Sequence, residues 1–372
     1  MKIVQTNKAY YPKVGGIEST IATLSEGLVN KYSASVQVLV CNSKFSFYST
    51  QKTINGVDVK YVSNYGIVSS LPISPWYFKE LSNLSGNILH IHEPFPLADL
   101  SLLMFPKIRK NFKKIVVSWH SDIIRQKWVL AFYRKYLHNF LELADKITVS
   151  SPALIDNSEF LPAYSEKCEV IPHGVNLDWA KSRLELSENK KDEKLILFVG
   201  RLVYYKGIEY LIDAMSSVKN AKLLIIGSGP LKEQLISKIK QLELNSRIKI
   251  IPEVEKDKLQ ECYKNCDMLV LPSIEKSETY GIVQIEAMAC GKPIICTEIG
   301  TGTSYINQNE VTGIVVPPRD SNELANAINR LVSDKDLSFK LGQNGKERAF
   351  NEFNAEKMVQ RTYDLYENLI ND

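Results

Sequence analysis

Leu195-Ile196-Leu197-Phe198-Val199-Gly200-Arg201-Leu202-Val203-Tyr204-Tyr205-Lys206-Gly207 is a β-rich apolar run that ends at a glycine turn, and a helical pattern over 208–219 follows it. Short apolar runs bounded by turn residues read as buried strands. The same unit recurs. Runs at 223–226, 248–251, 268–271, 294–296 and 314–316 continue the second half, with another helix over 323–333. An earlier series occupies 2–6, 36–41, 88–91, 115–119, 147–150 and 169–171. Strands alternating with helices specify parallel sheets covered on both faces, so each half reads as a doubly wound α/β domain. The length of 372 residues agrees, because a single core rarely grows that large. The polar stretch Ser187-Glu188-Asn189-Lys190-Lys191-Asp192-Glu193-Lys194 reads as the linker, which divides the chain into 1–186 and 187–350, with a charged helical end. Ligands of such domains are expected at the carboxyl ends of the strands, in the cleft between them.

Composition narrows the classes. With 44% hydrophobic and 24% charged residues the chain is ordinary and globular, which excludes a disordered majority. No apolar run approaches the roughly 18 residues of a membrane span, and Met1-Lys2-Ile3-Val4-Gln5-Thr6 reads as a first strand, so cytoplasmic residence is expected. Six scattered cysteines argue against a disulfide framework; Cys262 and Cys266 lack the second pair a structural zinc needs. The net charge of +4 is uneven: residues 1–186 carry 21 Lys and Arg against 15 Asp and Glu. The excess concentrates at Lys107, Arg109, Lys110, Lys113, Lys114, Arg125, Lys127, Arg134 and Lys135, opposed there only by Asp122. With Trp128, Phe132, Tyr133 and Tyr136 interleaved, residues 107–135 are expected to touch a membrane surface or attract phosphorylated substrates. No nucleic-acid module accompanies the charge.

The chemistry concentrates in Ser277-Glu278-Thr279-Tyr280-Gly281-Ile282-Val283-Gln284-Ile285-Glu286, where two carboxylates stand eight residues apart around a glycine turn that opens a helix. Were 278–286 fully helical, their attachment points would lie roughly 12 Å apart along the axis and about 80° apart around it. They then share neither a proton nor a metal. The spacing suits the two ends of an elongated polyhydroxylated ligand with a phosphate between them at the helix N-terminus, as in a nucleotide sugar. The plainer alternative is one exposed loop Glu and one Glu on an ordinary amphipathic helix. After the strand at 195–199, Arg201 and Lys206 stand five apart, and both types bind diphosphate: Arg as a planar fork, Lys as a point charge. Gly15 and Gly16 precede a helix and leave its N–H groups open to a phosphate, although G-x-G-x-x-G is absent. Gly227-Ser228-Gly229-Pro230 is a further glycine turn. His90, His92, His120 and His173 lie near strand ends; His120 is expected to reach a sugar hydroxyl or help receive a proton, with a packed histidine as the rival. His90, His92 and Glu93 make a weaker metal candidate.

Together these segments, including His120-Ser121-Asp122 and Pro172-His173-Gly174-Val175, resemble the retaining nucleotide-sugar glycosyltransferases of the GT-B fold, family 4-like, over nearly the whole chain. The resemblance implies two Rossmann-like domains facing across a cleft, the first for acceptor and the second for donor, with a terminal helix, 351–372, crossing back to the first. It also implies metal-independent transfer with retention and no cofactor beyond the donor. On this footing Glu286 binds the ribose, Glu278 the donor sugar, and Arg201 and Lys206 the diphosphate. Gly15, Gly16 and the backbone at Tyr280, Gly281 and Ile282 assist, Glu253 and Val254 face the base, and His120 touches the transferring sugar. Tyr280 and His173 stand where Phe and Asn are frequent. Gly300-Thr301-Gly302-Thr303-Ser304-Tyr305 is similar to bacterial surface-polysaccharide transferases, which implies GDP-mannose or a UDP-hexose as donor and a lipid-linked saccharide acceptor at the inner membrane face. A nucleotide-sugar epimerase of this fold and a non-catalytic binding protein remain the alternatives.

Overall fold

The computed structural model describes residues 1–12, 15–68, 71–122, 127–181 and 193–372, with 127–133 as backbone only. The chain forms two compact units, Met1–Gly174 with Ala355–Asp372, and Val175–Asn354. These boundaries differ from the expected 186 and 350. Leu177 and Ala180 already belong to the second core, beside Tyr263 and Phe353, and the Val175 N–H donates to Phe353 O at 2.9 Å. Burial of these side chains, rather than the polar stretch, decides where the chain changes unit. Residues 187–192 of the expected linker lie outside the described residues, and Lys194 is already paired in a strand.

The first unit holds β1 (Lys2–Thr6), β2 (Ser35–Cys41), β3 (Thr50–Ile54), β4 (Val57–Val62), the two-stranded β5 (Ile67–Val68) and β6 (Leu71–Pro72), then β7 (Gly86–Glu93), β8 (Phe112–Trp119), β9 (Lys146–Val149) and β10 (Cys168–Val170). Its main sheet runs β10-β9-β8-β7-β1-β2-β4-β3, parallel except for the edge strand β3. Strand order reverses between β1 and β7. Two apolar clusters, one on each face, bury Val4, Leu39 and Trp119 on one side and Ile3, Val38 and Val116 on the other. This is the alternation that a sheet covered on both faces requires. Helix Ala355–Asn371 belongs to this unit: Met358, Val359, Leu365 and Tyr366 join the second cluster, and Tyr363 stacks on Tyr32 at 3.8 Å.

The second unit holds β11 (Lys194–Val199), β12 (Ala221–Ile226), β13 (Ile248–Ile251), β14 (Met268–Leu271), β15 (Ile294–Thr297) and β16 (Gly313–Val316). All pair in parallel in the order β13-β12-β11-β14-β15-β16. Numbered within the unit this is 3-2-1-4-5-6, the Rossmann-type doubly wound order, which reverses between β11 and β14. Ligands of such sheets bind at the carboxyl ends of the two strands where the order reverses. Arg201, Lys206 and Glu278 all stand in the loops that leave those two strands.

Candidate functional site

The loop after β11 reaches the end of β14 because residue 207 is glycine. Gly207 has φ +61, and a Cβ there would lie 2.2 Å from Pro272 O. Any side chain would push the loop away. The Ile274 N–H donates to Tyr205 O at 2.8 Å and fastens the loops together. Lys206 is thereby brought onto Glu278, and their Nζ and Oε2 form an ion pair with side chains only 11% and 10% exposed. Ser273 Oγ, immediately beyond β14, donates to the same oxygen at 3.1 Å, and Thr301 Oγ1 donates to Glu278 O at 2.8 Å. A pair this buried is held by its partners on every side. Arg201 is exposed, its guanidinium donating to the Tyr205 hydroxyl at 2.8 Å.

The region 278–286 is only half helical. Gly281, at φ +82, caps a helix that starts at Ile282, and a Cβ on it would meet Leu271 at 2.7 Å. The glycine turn therefore opens the helix as expected. The axial separation computed for a continuous helix does not apply, since Glu278 precedes it on a loop. Glu286, one turn inside, is half-buried and accepts from the Tyr263 hydroxyl at 2.7 Å. Burial pushes its carboxyl above the usual range, against the lowering from Tyr263 and Lys256. Tyr280 is buried edge-to-face against Phe353. Gln284, fully buried, donates weakly to Tyr280 O and Thr303 O and so ties the helix to the 302–306 turn. Val254 is half-buried and Glu253 exposed on the loop after β13. Ser273, Tyr263, Tyr205 and Thr301 were not singled out from sequence. Ser273 carries a readable signal, standing two residues past a strand beside the reversal in strand order.

In the first unit Gly15 and Gly16 open helix Gly16–Tyr32 after β1. A Cβ on Gly16 would face open space, but one on Gly15 would lie 2.3 Å from Glu18 Oε2. The helix's own carboxylate thus lies over its first turn, where an anion is favoured. Lys13 and Val14, in the same loop, lie outside the described residues. His120 is only 4% exposed and packs between His92 and His173, at ring distances of 5.3 and 5.1 Å. His92 Nε2 meets Gln5 Oε1 at 3.0 Å, His92 Nδ1 meets His120 Nε2 at 3.1 Å, and His120 Nδ1 meets His173 Nε2 at 3.4 Å. With Gln5 Oε1 as the acceptor, the chain has one sense: His92, His120 and His173 each carry the proton on Nε2. His90 stacks on His92 and bonds Ser118 and Tyr366. Burial holds all four imidazoles down, His90 to about 3 and His173 to about 4, with neighbouring imidazoles adding to the effect at His92 and His120. They are neutral at neutral pH, donors and acceptors rather than cations. Glu93 turns away from this stack: its Oε2 accepts from Phe95 N at 2.9 Å, and no group of His, Cys, Asp or Glu among the described residues has metal-site geometry.

The order 3-2-1-4-5-6 with cations and a carboxylate at its reversal defines a doubly wound α/β unit of the Rossmann type. The chain matches the model "Glycosyl transferases group 1" over residues 183–348 and "Glycosyltransferase Family 4" over 14–179. It is 32% identical to the O-antigen chain mannosyltransferase C of Escherichia coli, across 100% of this chain and 99% of that protein. It is 34% identical to the D-rhamnosyltransferase WbpZ of Pseudomonas aeruginosa, across 73% and 70% of the two. In fold it is similar to Anabaena HepE solved with UDP-glucose, with a TM-score of 0.77 and 19% identity across 99% and 100% of the chains. The chain belongs to the glycosyltransferases of the GT-B fold.

Proposed function

We propose that the protein is a retaining, metal-independent hexosyltransferase that moves mannose from GDP-mannose, or failing that a hexose from a UDP-sugar, to a lipid-linked or polysaccharide acceptor in surface glycan synthesis. The observation that carries this reading is the buried Lys206–Glu278 pair with Arg201 beside it at the reversal between β11 and β14. Names of relatives support the sugar: one is an O-antigen mannosyltransferase, another a D-rhamnosyltransferase. The donor class is supported by the nucleotide in the HepE structures.

The Lys206 ammonium has three donors and gives one to Glu278, so the others are free for diphosphate oxygens, joined by the Arg201 fork. Glu278 and Glu286 then take sugar and ribose hydroxyls. In the transfer, the bond from the anomeric carbon to the diphosphate oxygen breaks while the acceptor hydroxyl bonds the same carbon from the same face, and its proton passes to the departing diphosphate. No enzyme nucleophile enters. The protein supplies alignment and charge stabilisation as the diphosphate leaves. His120, expected to touch the transferring sugar, has both ring nitrogens engaged by His92 and His173, so its part is to hold that stack, and the acceptor is the business of the first unit. Among the described residues no helix is long and apolar enough to cross a membrane. Work at the inner membrane face then falls to peripheral contact, for which residues 107–135 were the first candidate. Arg125 and the side chains of Lys127, Trp128, Phe132 and Tyr133 lie outside the described residues.

Incubation with GDP-mannose, a UDP-hexose and a polyprenyl-diphosphate-linked saccharide, with and without a chelator, tests this. Acceptor-dependent nucleotide release with an α-linked product from an α-linked donor, unchanged by the chelator, is expected. Isomerisation of the donor alone would replace the reading with an epimerase.

A further inference from the structure

An exposed aromatic and aliphatic patch lies in the first unit, built largely on the segments that leave the carboxyl ends of β2 and β4. Phe47 and Val68 are 62% and 61% exposed, and Trp76 is 52% exposed. These are large apolar groups left in water, and a contiguous patch of them marks a contact surface. Ring contacts establish contiguity: Phe45 and Phe47 pack edge-to-face at 4.8 Å, and both meet Tyr65, at 6.4 and 5.8 Å. Trp76 Nε1–H donates to the Tyr65 hydroxyl at 3.0 Å. Tyr65 N–H donates to Ile73 O, which brings in the β5–β6 hairpin with Ile67 at 57% exposed. Two residues past Trp76, Phe78 packs on Phe105 at 5.7 Å and extends the surface to exposed Met104.

Charge around the patch is of one sign. Residues 42–49, 63–79 and 104–114 contain no Asp or Glu, yet they carry Lys44, Lys79, Lys107 and Lys110, all exposed. Lys79 Nζ sits 5.9 Å from the Trp76 ring. Protein interfaces deplete lysine and mix signs, whereas Trp, Tyr and Phe ringed by lysine fit the headgroup layer of a bilayer, with aromatic rings at the boundary and ammonium groups at lipid phosphates.

We propose that this patch, centred on Phe47, Tyr65 and Trp76 and rimmed by Lys44, Lys79 and Lys107, docks the protein on an anionic bilayer surface. The proposal deepens the reading of a lipid-carried acceptor and rests on it. It shifts the membrane contact from residues 107–135 to the 45–48 loop and the strands β5 and β6, and keeps only the Lys107 end of the expected basic run.

Co-sedimentation of the full-length protein with vesicles tests it. Vesicles containing phosphatidylglycerol should bind, pure phosphatidylcholine should bind far less, and salt should weaken binding. Phe47→Ser with Trp76→Ser should lower partitioning roughly tenfold or more. Lys79→Glu with Lys107→Glu should lower it by at least about fivefold per lysine. Melting temperature and acceptor-free release of GDP from GDP-mannose should be unchanged in both. Binding that ignores these variants, or that is equal on neutral vesicles, or concentration-dependent self-association removed by the Phe47/Trp76 variant, overturns the proposal. Vesicle binding with the expected pattern but no turnover of any donor leaves the surface standing and removes the transferase reading. Turnover without vesicle binding does the reverse.

Discussion

The two units place opposite chemistry at the carboxyl ends of their strands. At the carboxyl ends of β11 and β14 a buried ammonium and carboxylate face each other with an arginine alongside, whereas at the ends of β7 and β8 stand imidazoles that burial keeps neutral. In the second unit the charged groups stand on loops, whereas in the first His90 and His92 stand on β7 itself. Charge suits a polyanionic leaving group, whereas the imidazoles are buried and bond one another and their neighbours.

The charged side should give the largest effects. Lys206→Ala removes a diphosphate cation and leaves the Glu278 carboxylate buried without its partner. We expect kcat to fall about 10²- to 10³-fold, as for loss of one oxyanion donor, and stability to fall by about 3 kcal/mol. Steady-state kinetics and a denaturant melt check both. An unchanged rate would remove Lys206 from the mechanism. Arg201→Ala should cut kcat by about 10²-fold yet leave the melt unmoved, since Arg201 is exposed. That contrast separates a transition-state cation from a structural one.

Gly207→Ala tests the hinge that creates the pair. The Cβ would meet Pro272 O at a positive φ, so a loss of roughly 2 kcal/mol is expected, together with a lower kcat as Lys206 moves off Glu278. A fully active variant would show that the loop tolerates the side chain.

The neutral side should respond to pH. His90 and His173 take up protons at about 3 and about 4 in the folded chain but at 6.5 ordinarily. Between these values the unfolded chain holds more protons, so the stability these groups contribute is present above pH 6.5 and declines as pH falls through 6.5 towards 4. Glu93, in the same unit and pushed up by burial, works in the opposite sense, but one carboxyl stands against four imidazoles. Proton NMR of the imidazoles should show no titration between about pH 5.5 and 8; midpoints near 6.5 would mean the stack is open to water. Tyr366→Phe, which removes one bond to His90, should cost only about 1 kcal/mol in the first unit.

The strands of both sheets were legible because each is a short apolar run closed by a turn. The hairpin of β3 and β4 is signalled in sequence only by Asn55-Gly56 between the strands, with φ of 48° and 82°, the turn such hairpins favour. Arg201, Lys206, Glu278 and Glu286 were readable as types suited to a nucleotide sugar. That Lys206 and Glu278 touch was not, because the contact depends on parallel pairing of β11 with β14 at a sequence separation of 72 (278 − 206). The histidine stack was hidden for the same reason, its members arriving from β7, the end of β8 and the loop after β10. The unit boundary at Gly174 was missed because Leu177 and Ala180 look like loop residues until their burial is seen.

The most direct test of the central claim is calorimetric titration of GDP, UDP and ADP, and of the corresponding nucleosides, into the wild-type protein and Lys206→Ala. If the buried pair and its arginine neighbour hold a diphosphate, at least one nucleotide binds the wild type far more tightly than its nucleoside, and the substitution weakens the nucleotide while leaving the nucleoside unchanged. Equal affinity of nucleotide and nucleoside, or the same nucleotide affinity in both proteins, would contradict it.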